Sequence, residues 1–260
     1  MMALSLLAQK KDTAFKFTNS IKGEVSDFTT DNLGNIYLIS GEGRLKKLNP
    51  NGDSLAVFND VRRYGKLYSI DVTNPLKVLL YYRSFGTIVI LDRFLNVRTT
   101  IDLRRENLLQ VKAIGQAYDN NIWVFDEQES KLKKIGDDGK ILDQSADFRM
   151  IFDSMPSPQF IVDQNKFIYL CDSLKGVYLF DYFGAFKNRI ALIGWTDFTV
   201  VNGIMFGRGK TSLYRYEPGS LKLAEFPIPA YMSDAKKIRI TAGNLYVLKD
   251  NRLDVYSYTE

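Results

Sequence analysis

The stretch Asp31-Asn32-Leu33-Gly34-Asn35-Ile36-Tyr37-Leu38-Ile39-Ser40-Gly41-Glu42-Gly43-Arg44-Leu45-Lys46-Lys47-Leu48-Asn49-Pro50-Asn51-Gly52-Asp53 decides the fold. It reads as a turn, a strand apolar on both faces, a second turn, another strand and a Pro-Asn-Gly hairpin signal. A strand with two apolar faces needs cover on both sides. Just before it, residues 26–30 read as a short inner strand. Just after it, residues 54–59 read as a more polar outer strand. Four antiparallel strands, sandwiched in the middle and polar outside, make one propeller blade.

The phrase returns along the chain. Its anchors are Asn35-Ile36-Tyr37-Leu38, Lys77-Val78-Leu79-Leu80, Asn121-Ile122-Trp123-Val124, Phe167-Ile168-Tyr169-Leu170, Gly203-Ile204-Met205-Phe206 and Asn244-Leu245-Tyr246-Val247. They recur at about 36 to 46 residues, the interval of one blade. The predicted architecture is therefore an all-β, six-bladed β-propeller. The sixth unit ends after residues 252–258, short of an outer strand. Ala14-Phe15-Lys16-Phe17-Thr18-Asn19-Ser20 resembles the outer strands Leu55-Ala56-Val57-Phe58-Asn59 and Leu223-Ala224-Glu225-Phe226. It is predicted to pair beside residues 253–258 and close the ring, which removes an exposed sheet edge.

Asp31-x-x-Gly34-Asn35-Ile36-Tyr37, continuing into Gly43-Arg44-Leu45-x-x-Leu48-x-Pro50-x-Gly52, resembles the NHL-type six-bladed repeat. That resemblance implies the fold and leaves the activity open, because such rings host both binding and enzymatic sites. Met1-Met2-Ala3-Leu4-Ser5-Leu6-Leu7-Ala8, followed by Gln9-Lys10-Lys11-Asp12, reads as the end of a secretory leader cleaved after Ala8. Residues 1–8 are thus expected to be a residual signal-like segment and residues 9–260 one propeller domain, exported to the periplasm or beyond. A small exported ring of this kind resembles the lone periplasmic propellers of Gram-negative bacteria, such as the plug subunit of the type IX secretion translocon. This resemblance implies a protein partner in an outer-membrane complex.

Composition removes several chemistries. The 260 residues include no histidine, which excludes Ser-His-Asp and Cys-His catalysis, histidine general bases and nearly all zinc chemistry. The one cysteine, Cys171, sits in an apolar strand and reads as a buried thiol. A net charge of +5 in small basic groups falls short of the continuous stripe that nucleic acid requires. The carboxylates Asp31, Asp71, Asp119 and Asp163 recur with the repeat, so they read as turn residues bonding their own backbone rather than as a calcium ring. Gly207-Arg208-Gly209-Lys210-Thr211 lacks the glycine spacing and the helix of a phosphate loop. No cofactor or metal is expected.

The remaining signal is a loop face. Inter-blade loops and the loops between second and third strands emerge at the same end of a propeller. They carry Arg63, Tyr64, Arg83, Phe85, Arg104, Arg105, Arg149, Trp195 and Tyr231. Arginine and large aromatics are the types enriched at protein-interface hot spots. The alternative is that long loops use aromatics as pegs. The expected function is a non-enzymatic protein- or peptide-binding propeller with these residues as its contact surface. Two rivals stay open at this point: a metal-dependent hydrolase or lactonase in the channel mouth, and a glycan-binding ring stacking sugars on Trp195, Tyr64 and Phe85.

Overall fold

A computed structural model describes residues 15–258. The leader-like segment, residues 1–8, and its Ala8-Gln9 junction lie outside the described residues.

Strand β1 (Lys16–Lys22) precedes the first blade, which comprises β2 (Asp27–Thr30), β3 (Ile36–Ile39), β4 (Leu45–Leu48) and β5 (Ser54–Phe58). Blade two is β6 (Ser69–Asn74), β7 (Lys77–Tyr82), β8 (Thr87–Leu91) and β9 (Val97–Asp102). Blade three is β10 (Val111–Gln116), β11 (Ile122–Asp126), β12 (Lys131–Ile135) and β13 (Ile141–Gln144). Blade four is β14 (Phe160–Gln164), β15 (Phe167–Asp172), β16 (Gly176–Phe180) and β17 (Phe186–Ile190). Blade five is β18 (Thr196–Val201), β19 (Ile204–Arg208), β20 (Ser212–Glu217) and β21 (Lys222–Pro227). Blade six is β22 (Lys237–Thr241), β23 (Asn244–Lys249) and β24 (Arg252–Ser257), with β1 as its outer strand. Each sheet pairs antiparallel in chain order except at this closure. The α-helical content among the described residues is a single turn, α1 (Val61–Tyr64).

Burial explains why the second and third strands are so apolar. Every residue of β7, β8, β11 and β16 is buried, because neighbouring blades cover both faces. The core is divided into sectors, one at each blade–blade junction. Tyr37 and Leu45 of blade one pack on Val78, Leu80 and Val89 of blade two, and the next junctions repeat the pattern. Each large side chain buried this way contributes roughly 1.5–3 kcal/mol. The outer strand β13 shows the contrast, with exposed Ile141 and Leu142.

Closure follows the expected pairing, shifted slightly along the chain. Lys16 pairs with Ser257 and Ile21 with Leu253, with a bulge between Phe17 and Asn19. The side chains of Thr18 and Ser20 lock the register, donating to the Val255 carbonyl at 2.8 Å and to Asp254 Oδ1 at 2.7 Å.

The two ends of a blade are built differently. At one end lie the turns joining first to second and third to fourth strands. Four of these turns are the same device. Oδ1 of Asp31, Asn49, Asp92 and Asp181 accepts the backbone N–H groups two and four residues on. The recurrent carboxylates divide by role. Asp31 and Asp119 bond their own turns. Asp71 accepts from Thr73 N and also from Gln116 N in blade three. Asp163 departs from the own-turn reading: it accepts from Tyr118 N at 3.1 Å and Trp123 Nε1 at 2.9 Å, both in blade three. The physical reason is that the buried Trp123 indole and the Tyr118 N–H in the turn after β10 need an acceptor, which the neighbouring blade's carboxylate supplies. Burial raises the Asp163 carboxyl above the usual range, opposed by the Trp123 hydrogen bond.

Candidate functional site

The opposite end carries the inter-blade loops and the second-to-third-strand loops, and all nine sequence-predicted residues belong to it. Six of them form one sector over blades one to three. Arg104, in a 3-10 turn after β9, donates from Nη2 to the Ser84 carbonyl at 2.8 Å. It thereby braces the tight turn that holds Arg83 and Phe85. The Phe85 ring lies against Gly65, where a Cβ would stand 2.9 Å from Phe85 Cε2 and the backbone φ is +73°. Only glycine fits both constraints. Phe85 remains 50% exposed on this seat. Arg63 is exposed, its guanidinium 5.1 Å over the Tyr64 ring. Arg105 is exposed beside Asp102.

Tyr64 is not part of that surface. It is 5% exposed, packs on Tyr82 at 5.2 Å between ring centroids, and sets its hydroxyl 3.3 Å from Thr100 Oγ1. Trp195 is likewise buried. Its indole stacks on Tyr214 at 5.1 Å and presses on Gly207, where any Cβ would sit 2.4 Å from the ring. At these two positions the loops use aromatics as pegs, because each long loop must cover the apolar end of a blade junction. Arg149 and Tyr231 lie on two further inter-blade loops, outside the six-residue sector. Arg149 folds back on Asp147, with Nη2–Oδ2 at 2.6 Å. That hydrogen bond holds the Asp147 carboxyl down at about 2. Tyr231 is half-exposed against Tyr256, and its carbonyl accepts from Lys249 Nζ.

Sequence reasoning missed several residues at this end. Met150, Leu174 and Ile193 are large, apolar and well exposed there. Tyr68, Lys112 and Glu127 gather between blades two and three, beside Arg83. Lys112 carried a readable signal: it is a lone cation inside the otherwise apolar start of an inner strand, Val111-Lys112-Ala113-Ile114.

Other candidates resolve as structure. Cys171 is buried, and burial pushes its thiol well above the ordinary value, so little thiolate forms at neutral pH. Arg208 of the glycine-rich stretch is tied to Asp197 at 2.6 Å and to the carbonyls of Ala235 and Lys236. Among the described residues no three His, Cys, Asp or Glu side chains gather closely enough to hold a metal ion. No helix among them is long and apolar enough to cross a membrane.

No protein-family model matches the chain. No curated protein matches it either. Solved structures do resemble it. A virginiamycin B lyase from Staphylococcus aureus, a catalytically inactive histidine-to-alanine variant with quinupristin, superposes with a TM-score of 0.65 at 11% identity, covering 93% of this chain and 99% of that one. The WD40 domain of Neurospora crassa Pan2 gives 0.64 at 10% identity, covering 95% and 96%. The β-propeller domain of Cps50 (Swd1) from Myceliophteria thermophila gives 0.63 at 8%, covering 95% and 100%. At these identities the likeness shows the fold alone.

Proposed function

We propose that the protein is a non-enzymatic, exported binding ring that contacts a protein or peptide through the loop sector over blades one to three. The finer placing, among NHL-like rings and lone periplasmic propellers serving an outer-membrane complex such as a secretion translocon, belongs to this proposal. The observation that carries it is the built support under exposed groups. Arg104 braces the Arg83–Phe85 turn, Gly65 seats Phe85, and buried Tyr64 underlies Arg63. Rigidly held aromatic and arginine groups lose little freedom on binding, which is what hot spots require.

One observation weighs on the glycan-binding rival. Of the three aromatics suited to sugar stacking, Tyr64 and Trp195 are buried, leaving Phe85. The test is capture of a stoichiometric partner from native envelope extract. Phe85→Ala with Arg105→Glu is expected to lose about 2 kcal/mol of binding, roughly thirtyfold in affinity, with normal melting. Unchanged capture by that variant would overturn the proposed face.

A further inference from the structure

Two cations at the junction of blades two and three share one carboxylate and hold it slackly. Glu127 Oε2 lies 3.7 Å from Arg83 Nη2, and Glu127 Oε1 lies 3.8 Å from Lys112 Nζ. Both distances exceed a hydrogen bond. Several other shielded cations in this protein meet their carboxylates at contact: Arg208 with Asp197 at 2.6 Å, Lys237 with Asp27 at 2.6 Å, and buried Lys133 with Asp126 at 2.7 Å. The trio's other side-chain hydrogen bonds are also long, while the Arg83 guanidinium lies 5.2 Å over the Tyr68 ring. Arg83 Nη1 stands 3.5 Å from the Tyr68 hydroxyl, and Ser157 Oγ stands 3.4 Å from Glu127 Oε1.

A second observation lies on the same side of the blade. Ser69 Oγ is buried without a hydrogen-bond partner. Asp71, two residues along the same strand, accepts from Gln116 N of blade three. Strand alternation therefore turns Ser69 toward blade three as well. Lys112 belongs to the bulge that interrupts the β10–β11 register between Val111 and Ala113, so the ladder does not fix it.

We propose that this junction recognises a carboxylate on an acidic peptide segment of the partner, and that Glu127 fills the place until the segment arrives. The inference rests on the binding reading above and gives it a partner chemistry. Two cations against one anion leave a net positive charge at a partly desolvated site, which favours a further anion. The kind of anion follows from the occupant, since Arg83 and Lys112 already straddle the two oxygens of a carboxylate, one each. Tyr68, whose hydroxyl lies 3.5 Å from Arg83 Nη1, adds a hydroxyl donor. Glu127 sits at the start of a turn with its side chain 38% exposed, so it has solvent to move into when displaced.

A site occupied by an internal competitor shows an apparent affinity reduced by the unoccupied fraction. Removing the competitor must then tighten binding, which a merely structural glutamate would not do. The measurement is fluorescence anisotropy of a labelled hexaglutamate peptide on the whole chain. Hexaglutamine and inorganic phosphate serve as controls. Glu127→Gln is expected to bind the peptide up to about tenfold tighter than the parent. Lys112→Met should weaken it by a similar factor, while Lys112→Arg keeps it. Hexaglutamine should not bind, and phosphate should not displace the peptide. If Glu127→Gln binds no tighter, or phosphate competes as well as unlabelled hexaglutamate, the proposal is overturned. If the acidic peptide fails while partner capture still depends on Phe85 and Arg105, the carboxylate site falls and the binding face stands.

Discussion

The two ends of each blade obey different rules. At the turn end, Asp31, Asn49, Asp92 and Asp181 repeat one hydrogen-bonding device, and the surrounding sequence repeats with them. At the loop end the fixtures vary more, although Asp126 and Asp172 cap their turns alike. Arg104 is tied to the Ser84 carbonyl, Trp195 lies on Gly207, Arg149 is forked onto Asp147, and Lys249 reaches the Tyr231 carbonyl. The repeated end needs only to reverse the chain, so one solution serves many times. The divergent end spans longer gaps over blade junctions, where each loop must supply its own cover. Loops carried on a rigid scaffold are where binding residues usually lie. The contrast therefore says where to look for function as well as how the ring is held.

The largest expected effect separates pegs from contacts at the loop end. Trp195→Ala should cost about 3–5 kcal/mol, because it empties a buried, stacked site. Urea unfolding would show the shift, and a loss below about 1 kcal/mol would mean that the loop stands without its peg. At the turn end, Asp92→Ala removes one acceptor from two backbone N–H groups in an exposed turn. The expected loss there is well below that at Trp195, because the turn is exposed and water can replace the lost acceptor. A loss as large as that at Trp195 would erase the distinction between the two ends. The smallest effect is a pH dependence. Arg149 holds the Asp147 carboxyl at about 2 when folded. The folded value lies below the unfolded one, so the pair's contribution is present above about pH 4 and is lost as the pH falls toward 2. Asp147→Asn should flatten the acid limb of the stability profile in that window. Because the pair is exposed, the change should be slight. An unaltered limb would show that the fork does not hold the loop.

The same contrast accounts for what the sequence revealed. The apolar quartets, such as Asn121-Ile122-Trp123-Val124, were readable because a strand between two blades is apolar whichever way it faces. Turn residues were readable because Asp-x-x-Gly signals depend on neighbours in sequence. The loop end was readable only in composition. Nothing around Trp195 distinguishes it from Phe85. What buries the one is Gly207 across a hairpin, and what props up the other is Gly65 on a different loop. The trio Arg83, Lys112 and Glu127 comes from two blades, so no spacing within one repeat could bring it together.

The clasp between β1 and β24 also sets a timetable. Lys16 finds Ser257 only after all the blades between them have been made. During synthesis, the edge that will receive β24 waits open while five blades form behind it. Contacts this distant in sequence are the slow step of β folding, and an open edge is the part most exposed to mispairing. The ring's first strand is thus among the last to be satisfied.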